Sequence, residues 1–257
     1  MKVQLVSFPV YSRLTRQKMF ERRDLIIRIL NESSADFVMF SQHVLKEQRD
    51  LSMIRALVKN RDISAFLELN EKKGLNGNCM YLFQNGEWVY MDCQLFAEFK
   101  DATLSEIIYL IEDLHGYHFN MRRQFSVAGK KFMVINCGEN NILKGSTGIA
   151  EFRLKDSVLK EEFERALDKV DVILNPVHTT WGRFGNFLTR IRKFSEKGRY
   201  CFSNTQMVGN QLENAVKNPD HNTTCVAMHD SELIAPISTE VLDAGDEKVL
   251  VQTFEVK

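Results

Sequence analysis

The feature that most constrains this chain is a hydrophobic period that switches repeatedly between two residues and 3.6, the pattern of strands alternating with crossover helices. Residues 3–8 read as a strand, and 18–31 as a helix with Phe20, Ile27 and Leu30 near one face. ADFVMFS at 35–41 is almost continuously apolar, which suits a strand covered on both sides. A helix at about 47–59 and the strand SAFLEL at 64–69 follow. Asn85-Gly86 is a turn dipeptide between CMYLF and EWVYMDCQLF, and Ala128-Gly129 separates QFSV from KFMVINC in the same manner. Helices are expected at 103–115, at 156–170 behind the N-cap Asp156, and at 184–198. Strands are expected at DVILN, which stops at Pro176, at YCFSNTQ (200–206), and near 223–229 and 247–256. Hairpins inside a strand-helix alternation predict an α/β fold with mixed sheets, and about ten strands in one chain predict two sheets packed together.

Composition narrows the partners. Lys plus Arg and Asp plus Glu both number 34, so no global field draws the chain to nucleic acid or to an anionic membrane. Thirteen Gly and four Pro leave little room for linkers, and no apolar run approaches the roughly 20 residues of a membrane span. The N-terminal segment lacks a small-residue cleavage site and reads as a first strand. The five cysteines, at 79, 93, 137, 201 and 225, form no Cys-x-x-Cys pair, which points to a reducing cytoplasm.

Several chemistries fail on spacing. In GENNILKGST (138–147) Lys144 precedes Gly145, the wrong order for a phosphate loop, and no Gly-x-Gly-x-x-Gly occurs, so no cofactor is expected. The histidines at 43, 115, 118, 178, 221 and 229 are scattered, so no metal site is expected either. Around 184–198, Arg183, Arg190, Arg192, Lys193, Lys197 and Arg199 face Glu196 alone. Without interleaved aromatics this reads as a solvated face or subunit interface rather than a nucleic-acid contact. Cys137 stands apart from the other cysteines. It ends the apolar run KFMVI and precedes Gly-Glu-Asn-Asn, and strand ends in α/β proteins are where reactive groups are presented. To act as a nucleophile its thiol needs a proton acceptor and nearby positive charge.

The order of these segments resembles the nitrilase, or carbon-nitrogen hydrolase, superfamily. The resemblance is carried by ADFVMFS-Gln42-His43, a Lys about sixty residues on, Cys137-Gly-Glu-Asn, VILNPVH and RYCFSNTQ, and spans nearly the whole chain. It implies one domain over residues 1–257, a four-layer α-β-β-α sandwich of two mixed β-sheets, and an amidase-like hydrolase of non-peptide C–N bonds. It also implies a small amide or nitrile substrate, no cofactor, and a homo-oligomer assembled through helices beside the site. In the implied mechanism a Glu is general base to the thiol, the thiolate attacks the carbonyl or nitrile carbon, and a Lys holds the oxyanion.

The nucleophile carries over onto Cys137, and the Lys onto Lys100, taken as ending a strand CQLFAEF, with Lys130 and Lys131 as rivals in the hairpin turn. The general-base position falls on Gln42, which cannot accept a proton at neutral pH. Three explanations stay open: an introduced near-isosteric change, natural loss in a pseudoenzyme, or rescue by Glu139 or Glu106. The resemblance further implies a substrate pocket at His178, Trp181 and Arg183. The alternative is a catalytically dead nitrilase-like binding or accessory subunit of a larger bacterial complex.

Overall fold

Two facing sheets form the centre of the molecule, seen here in a computed structural model that describes residues 1–10, 15–70, 78–117, 123–146, 148–178, 184–221 and 223–257. In chain order the first sheet takes β1 (Lys2–Ser7), β2 (Phe37–Phe40), β3 (Ser64–Asn70), β4 (Asn78–Gln84) and β5 (Glu87–Cys93). The second takes β6 (Gln124–Val127) and β7 (Lys130–Val134), while β8 (Leu143–Ser146) and β9 (Ile149–Phe152) make a separate ribbon. The second sheet continues with β10 (Val172–Pro176), β11 (Tyr200–Asn204), β12 (Cys225–His229) and β13 (Glu232–Leu233). β14 (Ser238–Ala244) and β15 (Glu247–Glu255) return to the first, giving the orders β14-β15-β1-β2-β3-β4-β5 and β13-β12-β11-β10-β7-β6. In each sheet three central strands are parallel, β1, β2 and β3 in one and β7, β10 and β11 in the other, and antiparallel neighbours flank them.

The helices are α1 (Arg16–Glu32), α2 (Gln48–Leu57), α3 (Leu104–Leu114), α4 (Ser157–Leu167), α5 (Phe184–Phe194) and α6 (Gln211–Lys217). Buried apolar side chains sort into three layers of contact. Ile26, Leu30 and Ile54 of α1 and α2 pack on Val6, Val38 and Phe83. Phe37 and Phe66 meet Phe132, Leu174 and Phe202 between the sheets. Leu110, Phe163 and Ile191 of α3, α4 and α5 cover Met133, Ile173 and Cys201. Successive residues of β2 therefore face the opposing sheet and the helices in turn, which is why both parities are apolar in so short a strand. The result is the expected four-layer α-β-β-α sandwich of two mixed sheets. None of the described helices is long and apolar enough to cross a membrane.

The hairpins at Asn85-Gly86 and Ala128-Gly129 form as expected, each with left-handed backbone at both turn residues. One strand ends earlier than its apolar residues suggest. β5 stops at Cys93, and CQLFAEF continues as irregular chain into a 3₁₀ turn at Phe99–Asp101. The ribbon β8–β9, helix α6 and the polar edge strand β14 were not anticipated.

A buried ion pair ties α1 to the sheet beneath it. Arg22 and Glu247 have fully buried side chains, with Arg22 Nε 2.8 Å from Glu247 Oε2 and Nη2 donating to the Pro9 carbonyl at 2.7 Å. Removing one partner strands a charge, so Arg22→Ala should lower the free energy of urea unfolding by about 3–5 kcal/mol. Adding Glu247→Gln to that variant should recover part of the loss.

Candidate active site

The C-terminal ends of the parallel strands of both sheets meet at one place, and the chain leaving those strands supplies polar side chains there. From the first sheet come Gln42 and His43, just after β2, and Glu68, within β3. From the second come Asn136 and Cys137, after β7, and His178, after β10. All have buried or half-buried side chains.

Glu68 is the centre of the cluster, with a side chain at 0% exposure. Its Oε2 accepts from Gln42 Nε2 at 2.5 Å and from Asn136 Nδ2 at 3.0 Å. Its Oε1 faces His178 Nε2 at 2.8 Å and His43 Nε2 at 3.2 Å. Burial alone would push this carboxyl up, but the charge and hydrogen bond of His178, then those of His43, reverse the shift and hold it at about 2. The imidazoles of His43 and His178 stack with centroids 4.2 Å apart. His43 reaches the cluster from a left-handed backbone, φ 56°, and its Nε2 also lies 2.8 Å from Asn78 Oδ1. Burial works against a charged His43 ring, yet the contact with Glu68 and then Asn78 leaves its pKa raised.

Asn136 connects this carboxylate to the thiol. Its Oδ1 accepts from the backbone N–H of Cys137 at 2.7 Å and also from Gln42 Nε2. The Cys137 thiol is pushed up to about 12, first by burial, with the charges of Glu68 and Glu139 adding to it. The backbone N–H of His178 and the Arg190 guanidinium act in the opposite direction. Arg190 reaches in from α5 and donates to Asn140 Oδ1 at 2.9 Å and Asn141 Oδ1 at 2.7 Å. The resting thiol is therefore neutral and needs an acceptor before it can attack.

The turn that carries Cys137 is braced from behind. Glu139 accepts from the backbone N–H groups of Asn136 and Leu95, both at 2.9 Å. The same carboxylate binds the fully buried Arg123 at 2.5 and 2.9 Å. Arg123 also pairs with Asp113 of α3 and donates to the Cys93 carbonyl at 3.2 Å. Gly138 permits the close approach of the neighbouring segment, since a Cβ there would lie 2.0 Å from the Phe96 carbonyl oxygen.

Of the residues singled out in the sequence, the structure thus brings Cys137, Gln42 and His178 together, with Glu139 behind them and bound to Arg123. Lys100 is not brought to this cluster. Because β5 ends early, Lys100 lies in the 3₁₀ turn with its side chain 72% exposed, 2.9 Å from Glu98. Glu106 is also elsewhere, because it closes the capping box of α3 and accepts from the Thr103 N–H at 2.7 Å. Trp181 and Arg183 lie outside the described residues. The basic residues near α5 are largely answered inside the chain: Lys193 by Glu196, Lys197 and Arg199 by Asp168, and Arg190 by the two asparagines. Sequence spacing missed Glu68, His43, Asn136, Arg123 and Arg190. His43, Glu68 and His178, which spacing did not group, gather with their ligand atoms within 4.8 Å of one another. The one signal for Glu68 was a carboxylate inside the otherwise apolar strand SAFLEL.

These contacts also redefine Gln42. Its amide N–H serves a buried, ionised carboxylate, so a glutamate in its place would set two carboxylates against each other. Gln42→Glu should therefore destabilise the fold by about 3–5 kcal/mol, as other uncompensated buried charges do. The exchange Gln42→Glu/Glu68→Gln, which keeps one charge and one amide, should recover most of that loss in urea unfolding.

No protein-family model and no curated protein matches the sequence. Solved structures do match. Over 99% of this chain and 90% of theirs, it resembles two variants of the amidase from Nesterenkonia sp. AN1, each at 12% identity. One is a cysteine-to-alanine variant in complex with butyramide, TM-score 0.54. The other is a glutamate-to-glutamine variant showing covalent addition of the acetamide moiety of fluoroacetamide at the active-site cysteine, TM-score 0.53. A CN-hydrolase superfamily protein from Xanthomonas campestris, with an arsenic adduct in its active site, matches at 11% identity and TM-score 0.54, over 99% of this chain and 91% of that one. The chain has the fold of the nitrilase superfamily.

Proposed function

We propose that this chain is a thiol hydrolase of small amides or related non-peptide C–N compounds, with Cys137 as nucleophile and Glu68 as the buried carboxylate that Gln42 cannot replace. The observation that carries the reading is the single hydrogen-bonded cluster joining Glu68, Gln42, Asn136 and the backbone of Cys137 at the strand ends. In the reaction the thiol proton passes to the Glu68–histidine cluster as sulfur bonds to the acyl carbon. The C–N bond then breaks, the departing amine takes up a proton, and water releases the acyl group from sulfur. Arg190 supplies the positive charge facing the thiol, while Lys100 is exposed and paired with Glu98. The nitrilase-superfamily fold supports the substrate class. The reading brings with it one domain over the chain, a reducing compartment and assembly through the flanking helices.

A second reading, a binding or accessory subunit without turnover, is favoured by one observation: burial holds the thiol at about 12 with both nearby carboxylates opposing ionisation. Fluoroacetamide and a panel of small amides separate the two. The hydrolase reading expects mass spectrometry to find an acetamide adduct on Cys137 and amide turnover abolished by Cys137→Ala. It also expects Glu68→Gln to slow turnover by roughly 10²–10⁴-fold, the usual worth of a general base. Wild type, Cys137→Ala and Glu68→Gln behaving identically on every substrate would overturn it and leave the binding reading.

A further inference from the structure

Two imidazoles and a carboxylate, brought from three separate segments, gather their ligand atoms in the cluster that holds the thiol-bearing turn. His178 Nε2 and His43 Nε2 lie 2.8 and 3.2 Å from the same oxygen, Glu68 Oε1, and the three ligand atoms all fall within 4.8 Å of one another. We infer that His43, Glu68 and His178 form a binding site for a divalent transition metal of the zinc type.

The donor set is the first reason. Two histidines and one carboxylate, with a position left open, is a ligand set of catalytic zinc sites. With metal bonds of about 2.0–2.2 Å, neighbouring ligand atoms in a tetrahedral site stand about 3.3–3.6 Å apart. To admit an ion the His178–Glu68 separation must open by about 0.5–0.8 Å and the His43–Glu68 separation by about 0.1–0.4 Å. The second reason is the shell behind the ligands. Gln42 and Asn136 hold Oε2 of Glu68, which fixes the carboxylate plane and leaves Oε1 to coordinate. His43 is held in a left-handed conformation that only a minority of non-glycine residues adopt, and this turns its ring toward Glu68. The cost of loading is the hydrogen bond between His43 and Asn78.

Cys137 is not in the ligand set, so the thiol stays available as nucleophile. Binding of the ion does not depend on the hydrolase reading. Its effect there does: an ion on Glu68 and both histidines would occupy the atoms proposed to accept the thiol proton, so metal loading and amide turnover would compete.

The test is a zinc titration of the full, chelator-stripped chain by calorimetry, with cobalt(II) absorption to report coordination. Wild type and Cys137→Ala should each bind one equivalent with a tetrahedral cobalt spectrum. His43→Ala, His178→Ala and Glu68→Gln should each weaken binding by more than about 100-fold, beyond the roughly 10–100-fold that outer-shell changes cost. Circular dichroism identifies any variant that fails to fold, and the wild-type stoichiometry and spectrum then decide alone. No stoichiometric binding by wild type, or equal affinity in the folded ligand variants, overturns the proposal. Fluoroacetamide labelling of Cys137 in the stripped protein reads the hydrolase proposal separately, so either can fail while the other stands.

Discussion

An ionised carboxylate with no access to water must be answered by hydrogen bonds, and in this molecule Glu68 is answered from both sheets at once. Gln42 and His43 come from the sheet that contains Glu68, and Asn136 and His178 from the facing one. Stranding such a charge costs several kcal/mol, so the two sheets are held in one register at their C-terminal strand ends. Apolar contact between the sheets supplies adhesion without direction. The buried charge supplies the direction, and it fixes where the thiol-bearing turn must lie.

A second charged group does the same for the turn itself. Arg123 reaches Glu139 on one side and Asp113 of α3 on the other, so the turn after β7 is bound to the outer helical layer. Glu139 is consumed by this bracing and by two backbone N–H groups. Among the carboxylates the sequence offered as partners for Cys137, one is thus a brace and another a helix cap, and the carboxylate bonded to Gln42 and Asn136 is a third.

The fold was legible because its signals are local. Alternating periods, two turn dipeptides and the N-cap Asp156 each lie within a few residues, and the strands covered on both faces are apolar at both parities. The placing of Cys137, Gln42 and His178 at strand ends was legible because each closely follows a strand in sequence. Glu68 was not, since a lone carboxylate in a strand usually marks a solvent face. Its partners lie 26, 68 and 110 residues away in sequence, distances at which spacing carries no information. The strand expected to end at Lys100 does not form because Leu95, Phe96 and Phe99 prolong the apolar pattern past the end of β5, although those side chains turn to the layer of α3 and α4.

The contact at Gly138 limits how the thiol-bearing turn can move. With no space for even a methyl group between Gly138 and the chain at 96–97, the thiol-bearing turn and that segment move as one body. The segment at 96–97 cannot shift toward Gly138 and leave the sulfur where it was. Any motion of that segment therefore shifts the thiol relative to Glu68, which ties the position of residues 96–97 to the geometry of the buried cluster.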